Sequence, residues 1–170
     1  MANPLRVNAA ELLRRPGSEK DVEVLFSVAD LGLIDDRLRG DDRVNIQLHL
    51  ESLTDGVVVR GLVTAPWHGI CRRCATAAGG EVRAEVHELY QQVVTDPEAF
   101  ELVGDQLDLA PMVREIIVLD APMSPLCHDD CQGLCPECGV DRNLESCTCA
   151  GVVADSPWGA LDQLKGLLDD

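Results

Sequence analysis

Alternating apolar and polar residues predict a sheet in the first half of the chain. In RVNIQLHLESL, residues 43–53, every second side chain is apolar, which is the pattern of a strand with one buried face. The apolar positions are Val44, Ile46, Leu48 and Leu50. Asp55-Gly56 then predicts a tight hairpin turn, because glycine supplies the positive φ that such turns need. We therefore expect strands over 44–53 and 57–65, paired antiparallel.

Two more segments are predicted as strands. DVEVLFSV, residues 21–28, is rich in residues that favour strands. GGEVRAEVHELYQQVV, residues 79–94, again alternates and places Val82, Ala84 and Val86 on one face. Residues 30–43 are rich in Asp and Arg and are predicted to form a loop.

Helical patterns flank these strands. VNAAELLRRPG, residues 7–17, predicts a short helix in which Asn8 and Glu11 have the spacing of a capping box. LDLAPMVREIIVLD, residues 107–120, predicts a longer helix capped by Asp108, since proline is tolerated in its first turn. A third pattern, at the C-terminus, predicts an amphipathic helix that packs on the core or binds a partner.

Charge is concentrated in the second half. The chain has 30 acidic and 14 basic residues, and residues 96–170 contain 16 of the acidic ones against three basic ones. Such a surface repels nucleic-acid phosphates and attracts basic partners, although it can also serve solubility alone. The sequence has neither 18 consecutive apolar residues nor a secretory N-terminus, so we expect no membrane association and a cytoplasmic location.

The chain contains eight cysteines, all of them in closely spaced pairs. They form four pairs at metal-ligand spacing: Cys71/Cys74, Cys127/Cys131, Cys135/Cys138 and Cys147/Cys149. Structural disulfides are rare in a reducing cytosol, and closely spaced pairs there usually hold a metal. CPECG, residues 135–139, could also be a redox pair of the thioredoxin type, but no helix pattern follows it. Four pairs predict two Zn²⁺ ions, each bound by four thiolates.

The pairing of these four elements has two solutions. In the first, Cys71, Cys74, Cys127 and Cys131 bind one ion and link a strand connection to the tail, while Cys135, Cys138, Cys147 and Cys149 bind the other. In the rival pairing, Cys127 to Cys138 form one site, and Cys71/Cys74 join Cys147/Cys149. The short interval between Cys131 and Cys135 favours the first pairing. His68 and His128 could replace a cysteine, but such neighbours are more often bystanders.

Together these features predict an α+β protein: an antiparallel β-meander or partly open barrel with flanking helices and a C-terminal zinc-ribbon-like tail. No catalytic motif is present, and sites closed by four cysteines are structural, so we expect no enzymatic activity. Four parts are predicted. They are a β-rich domain (1–95) that carries the first cysteine knuckle, CRRC at 71–74, an acidic linker and helix (96–126), a cysteine-rich zinc tail (127–150) and the C-terminal helix (156–170).

The order of these parts resembles the YceD family, the large ribosomal RNA subunit accumulation proteins. The resemblance rests on CRRC at 71–74, LDLAPMVREIIVLDAPMSPLC, CHDDCQGLCPECGVDRN, CTC and a closing SPWGALDQLK. Short family members keep the first knuckle and a Cys or His pair at the positions of Cys127 and Cys131, but lack the later cysteines. The resemblance therefore implies that the first pairing is correct, with the second site as an added ribbon.

The family resemblance also implies a non-enzymatic role in accumulation of large-subunit ribosomal RNA. The expected partners are a large-subunit precursor, a basic ribosomal protein and/or ribosomal RNA. Arg72 and Arg73, inside the first knuckle, are the candidate partner-binding or RNA-binding residues, although both could simply be solvated. Other arginines could extend an RNA-facing patch: Arg14, Arg15, Arg37, Arg39 and Arg43. The alternative function is a redox sensor, in which oxidation of the cysteines expels zinc and changes a partner interaction.

Overall fold

The computed structural model describes residues 5–149 and contains seven strands and two helices in that range. In chain order these are β1 (Arg6–Asn8), α1 (Ala10–Leu13), β2 (Glu19–Ser27), β3 (Arg43–Ser52), β4 (Gly56–Ile70), β5 (Ala77–Gln91), β6 (Phe100–Glu101), β7 (Gln106–Asp108) and α2 (Ala110–Asp120). The predicted C-terminal helix, 156–170, lies outside the described residues.

Strands β2 to β5 form the predicted antiparallel meander. They are neighbours in sequence order, and Val44, Ile46 and Leu50 are buried on one face of β3. The same alternation on β5 buries Val82 and Val86. The expected strands are all present. β4 has 15 residues and continues to Ile70, beyond the predicted 57–65, whereas β5 begins two residues earlier and ends three residues earlier than the predicted 79–94.

The hairpin between β3 and β4 is correct, but the reason given for its glycine is wrong. Gly56 is not among the residues with positive φ. It faces the neighbouring strand so closely that a Cβ atom would lie 2.2 Å from the Tyr90 carbonyl oxygen. A side chain is therefore excluded at Gly56 by the approach of β5, and not by the turn conformation.

The sheet is mixed and open. The fifth strand, β6, pairs parallel with β5 at Tyr90 and Gln91, which corrects the expectation of a purely antiparallel sheet. Among the described residues the five strands do not close into a barrel, so the meander is the form that the structure shows. β1 and β7 form a separate two-stranded antiparallel sheet.

Helix α2 belongs to the same hydrophobic core as the meander. Met112, Val113 and Ile117 are fully buried in the cluster that contains the inward residues of the strands. The core is aliphatic apart from Tyr90, which stacks on Phe100 with 5.2 Å between ring centroids. Burial raises the pKa of Tyr90, whose hydroxyl donates to the Asp108 carbonyl oxygen at 3.2 Å.

Both helix starts differ slightly from the capping predictions. The Asp108 carboxylate accepts the Ala110 N–H at 3.0 Å, but the N-cap residue of α2 is Leu109. Similarly, Asn8 accepts the Ala10 N–H at 2.9 Å, and Ala9 is the N-cap of the four-residue α1. Asp108 and Asn8 therefore each bind the first free N–H group of a helix from the position before the N-cap residue. Asn8 does not form a capping box with Glu11.

The chain divides into two compact units. One comprises Met1–Arg72 and Thr76–Cys127, and the other comprises Arg73–Ala75 and His128–Asp170. The first contains all of the strands and helices above. Within the described part of the chain, no helix has the length and apolar character that crossing a bilayer requires, since α2 is the longest at 11 residues.

Candidate metal centres

The eight cysteines form two groups of four. In cluster 1 the sulfur atoms of Cys71, Cys74, Cys127 and Cys131 all lie within 4.8 Å of one another. In cluster 2 the same holds for Cys135, Cys138, Cys147 and Cys149. The structure thus brings the cysteines together as in the first of the two predicted pairings.

The β4–β5 hairpin presents the first knuckle of cluster 1. β4 ends at Ile70 and β5 begins at Ala77, so CRRC forms the connecting turn. The Cys71 N–H donates to the Thr76 carbonyl oxygen at 2.8 Å and closes that turn. Ala75, directly after the second cysteine, has a φ of 58°, the left-handed conformation that this turn requires. Cys71 and Cys74 are therefore buried at the end of a rigid ladder.

The chain that leads to Cys127 is fixed beside this hairpin. The Pro125 carbonyl oxygen accepts the Arg72 N–H at 3.0 Å. The Pro125 ring also lies against Gly69, where an added Cβ would be 3.0 Å from the proline Cγ. Gly69 therefore allows the close approach of the segment that ends at Cys127.

Arg73 organises the tail around Cys131. Its guanidinium donates to the Cys131 carbonyl oxygen at 2.9 Å and to that of Asp129 at 3.2 Å. Its own carbonyl oxygen accepts the Leu134 N–H at 2.9 Å. Gly133 has a φ of 71°, and a Cβ there would lie 2.9 Å from the Arg73 carbonyl oxygen. Arg73 is thus a structural residue of the knuckle through these contacts, although both Arg72 and Arg73 are exposed.

Asn143 connects the next part of the tail to cluster 1. Its amide nitrogen donates to the Cys131 sulfur at 3.4 Å, and its amide oxygen accepts the Gln132 N–H at 2.7 Å. Asp141 in turn accepts from the Asn143 amide at 2.6 Å. Such outer contacts fix the position of a sulfur within a set of metal ligands.

CPECG folds into a tight turn that favours a thiolate. The Gly139 N–H donates to the Cys135 carbonyl oxygen at 2.9 Å, with Gly139 at a φ of 73°. The backbone N–H groups of Cys138 and Glu137 approach the Cys135 sulfur and lower the pKa of Cys135 to about 6. Hydrogen bonding to Cys138, followed by burial, raises the pKa of Cys149 to about 12.

These donor sets suit a tetrahedral metal ion. Four sulfurs around Zn²⁺ at about 2.3 Å are separated from one another by about 3.8 Å. The sulfurs of each cluster all lie within 4.8 Å of one another, which is compatible with that arrangement. Metal binding by four cysteines releases their thiol protons, so the affinity of such a site depends on pH. Sites of four cysteines stabilise a fold and leave no open coordination position for catalysis.

Several other predicted residues lie outside the clusters. His68 and His128 belong to neither group, and the His68 ring instead meets the Asp42 carboxylate at 3.0 Å. Arg37, considered for an RNA-facing patch, is mostly buried, because its guanidinium binds Asp35 and the Ala121 carbonyl oxygen. The tail from Cys127 to Cys149 contains turns and one isolated bridge, Leu134 with Asp141, so a zinc ribbon stays a prediction.

The roles of Arg73, Asn143 and Arg37 were not predicted from their own side chains. Asn143 was visible only as a position of the family motif. No local signal indicated that Arg37 would bind the Ala121 carbonyl oxygen or Arg73 that of Cys131, because these oxygens are 84 and 58 residues away along the chain.

Comparison with known proteins places these features in a family. The family model described as "Large ribosomal RNA subunit accumulation protein YceD" matches residues 59–165, which includes all eight cysteines. An uncharacterized protein of Mycobacterium tuberculosis is 33% identical over 148 residues, covering 82% of this chain and 72% of the relative. One from Mycobacterium leprae is 31% identical over 153 residues, covering 85% and 70%.

A plant relative has a name that states a role. The Arabidopsis thaliana "Large ribosomal RNA subunit accumulation protein YCED homolog 1, chloroplastic" is 27% identical over 60 residues, covering 35% of this chain and 19% of the relative. No solved structure matches the chain.

Proposed function

The chain belongs to the YceD family, and from this premise we propose that it is a non-enzymatic, zinc-binding assembly factor for the large ribosomal subunit. The observation that carries the proposal is the family match over residues 59–165, which is named for accumulation of large-subunit ribosomal RNA. The two closed cysteine clusters support a structural role for metal, because nothing in their donor set provides an open catalytic position.

We propose Zn²⁺ as the ion in both clusters. Cys71, Cys74, Cys127 and Cys131 would hold one ion, and Cys135, Cys138, Cys147 and Cys149 the other. Four thiolates in a tetrahedral set favour Zn²⁺ over hard cations such as Mg²⁺ and Ca²⁺, which prefer oxygen ligands. The cytoplasm, where thiols stay reduced and ribosomes assemble, is the proposed compartment.

The proposed partner in the precursor particle is a basic ribosomal protein, with a local RNA contact. Support comes from charge, since residues 96–170 hold 16 acidic residues against three basic ones. Exposed acidic side chains such as Glu98, Glu101 and Asp105 would attract a cation-rich surface. Arg72 is the better candidate for an RNA contact, because the Arg73 guanidinium is already bound to tail carbonyl groups.

Affinity purification from growing cells tests this function. We expect large-subunit precursors or a basic ribosomal protein to co-purify with the parent protein. Association should fall steeply between 0.1 M and 1 M salt, because the Debye length shrinks from about 10 Å to about 3 Å. Glu98→Lys/Glu101→Lys/Asp105→Lys should weaken it, and Arg72→Glu should reduce crosslinking to RNA while both metal ions stay bound. Co-purification of no ribosomal component would contradict the proposal.

A redox sensor is the second candidate function, and one observation favours it. Cys138 is exposed, and Cys147 and Cys149 are half-buried, so cluster 2 is open to an oxidant such as a peroxide. Two thiolates would lose two electrons to the peroxide and form a disulfide, the peroxide would take up two protons from solvent and become two water molecules, and the ion would leave. Loss of zinc at mild peroxide together with altered co-purification would favour this function. Zinc loss without any change in partners would reject it.

A further inference from the structure

A groove lined by apolar and acidic side chains lies beside β5, at the edge of the five-stranded sheet. It has a volume of about 410 Å³ and is lined by β5, the segment 97–100 and α2. Its apolar wall consists of Phe100, Ile116 and Leu119, the last of which is 74% exposed. A single exposed leucine is ordinary, but neighbouring apolar side chains in a groove that is rimmed by polar residues are typical of a docking site.

Three carboxylates line the same groove without a cationic partner. None of Glu88, Glu98 and Glu115 forms an ion pair within residues 5–149. Burial and the repulsion of Glu115 raise the pKa of Glu88, His87 opposes this, and Glu98 adds to it. The basic residue of α2, Arg114, is directed away and donates to the Leu31 carbonyl oxygen at 3.0 Å. The groove is thus complementary to positive charge.

The segment that forms one wall is fixed in place by a buried amide. The Gln91 side-chain oxygen accepts the Thr95 N–H at 3.0 Å and the Asp96 N–H at 3.3 Å. The Glu98 N–H donates to the Asp96 carboxylate at 2.9 Å, and Phe100 stacks on buried Tyr90. A groove that is already ordered loses little entropy when a ligand binds.

The neighbouring sheet edge offers backbone hydrogen bonds. β5 pairs with β6 only at Tyr90 and Gln91, so the edge from Ala77 to Leu89 has no strand partner among the described residues. An extended segment can add to such an edge through its main chain, and its side chains then reach the adjoining surface.

We propose that this groove binds an extended, Lys/Arg-rich protein segment that carries apolar side chains. The apolar side chains contact Phe100, Ile116 and Leu119, and the cations pair with Glu88, Glu98 and Glu115. The inference rests on the proposed function, because it gives the basic ribosomal partner a defined docking site.

Peptide binding to the full-length, zinc-loaded protein tests the groove. The probe is a synthetic peptide of alternating Lys and Leu, of about six residues, the usual length of a strand. Amide NMR shifts should change at 86–89, 98–101 and 115–119. Glu88→Gln/Glu115→Gln/Leu119→Ser should weaken binding roughly tenfold. The matched control is Glu11→Gln/Glu23→Gln/Leu144→Ser, which removes the same charge and the same apolar side chain at exposed positions away from β5 and α2, and it should bind like the parent within about twofold.

Each outcome decides the proposal. Shifts confined to other regions, or equal weakening in both variants, would overturn the groove and indicate an effect of bulk charge. A Glu–Leu peptide that binds as tightly as the Lys–Leu peptide would overturn it as well. Co-purification is scored separately: precursors that co-purify while the peptide maps elsewhere leave the function intact and reject the groove. A peptide that maps to the groove when no precursor co-purifies supports the groove and rejects the function.

Discussion

At the scale of single residues, the two knuckles require the same backbone conformation from different amino acids. The residue after the second cysteine is left-handed in both: Ala75 has a φ of 58° and Gly139 a φ of 73°. This conformation costs an L-residue roughly 1–2 kcal/mol and costs glycine almost nothing. The backbone conformation of Ala75 therefore destabilises the CRRC knuckle locally, whereas the glycine in CPECG adopts the same conformation at little cost in free energy.

The first prediction is that Gly139→Ala destabilises the tail by about 1–2 kcal/mol. No atom lies within 4 Å of the added methyl group, so backbone conformation is the whole cause. Ala75→Gly should be neutral or stabilising by less than about 1 kcal/mol, because glycine's greater freedom in the unfolded chain offsets the relief. Denaturant unfolding of the zinc-loaded variants measures both changes. A neutral Gly139→Ala with a destabilising Ala75→Gly would contradict this account.

Single residues also show what the sequence could and could not reveal about the site. The cysteines were identifiable because paired ligands lie two to four positions apart, which is a local pattern. The supporting contacts are not local. Arg73 binds Cys131 across 58 residues and Asn143 reaches it across 12, and neither side chain differs by type from an ordinary solvated residue. Such contacts exist only once the fold has brought the two segments together.

At the scale of elements, strands with one buried face were predictable and edge pairing was not. The period of two along β3 and β5 follows directly from burial of alternate side chains. β6 has only two residues, too few for a period to be visible. It runs parallel to β5 because the 92–99 loop carries the chain back to the level of Tyr90 before β6 begins. The segment expected as an acidic linker thus contributes a wall of the groove.

Arg37 shows how a loop is connected to a helix end. Its guanidinium binds Asp35 at 2.7 Å and the carbonyl oxygens of Val118 and Ala121 at the end of α2. The hydrogen bonds from Arg37 lower the pKa of Asp35 to about 2 from an ordinary 3.8. Because the folded pKa is depressed, the pair contributes stability fully above about pH 4, and this contribution is lost as pH falls from about 4 to about 2.

The second prediction is that Asp35→Asn lowers the free energy of unfolding by about 1–3 kcal/mol at pH 7, since it removes a charge-assisted pair that is mostly shielded from water. The difference from the parent should shrink below pH 4 as the parent carboxylate becomes protonated. Urea unfolding of both proteins at matched pH measures this, and metal release in acid affects both equally. Asp36→Asn, at the neighbouring position, is the control. A difference that stays constant down to pH 2 would contradict the assignment.

At the scale of the whole molecule, the net charge of −16 and the cysteine clusters have separate proposed roles. Under the proposed function, metal binding supplies folding energy to a tail whose described residues, from Cys127 to Cys149, form only one isolated bridge. Under the same proposal, the acidic side chains attract a basic partner. Both roles could be proposed from the composition. The position of the groove could not, since its lining comes from three separate segments of the chain.

The third prediction concerns metal release from the complete protein. Elemental analysis should give two zinc ions per chain, and a chelator should remove them in two phases. Cluster 2 should be emptied first, because Cys138 is exposed and Cys147 and Cys149 are half-buried. In cluster 1 only Cys127 is partly open, while Cys71, Cys74 and Cys131 are buried. A chelator must reach a sulfur or the ion, so burial slows its attack.

Two matched substitutions assign the phases. Cys138→Ser should abolish the fast phase and leave one tightly held ion, and hydrogen exchange should rise at 135–149. Cys74→Ser should abolish the slow phase and raise exchange at 128–134, where Arg73, its neighbour in the knuckle, holds the Asp129 and Cys131 carbonyl groups. If Cys74→Ser removes the fast phase instead, the order of release derived from burial is wrong. If the parent protein holds one zinc ion or none, the two-site proposal fails, because eight cysteines at these distances would then not be serving as two complete ligand sets.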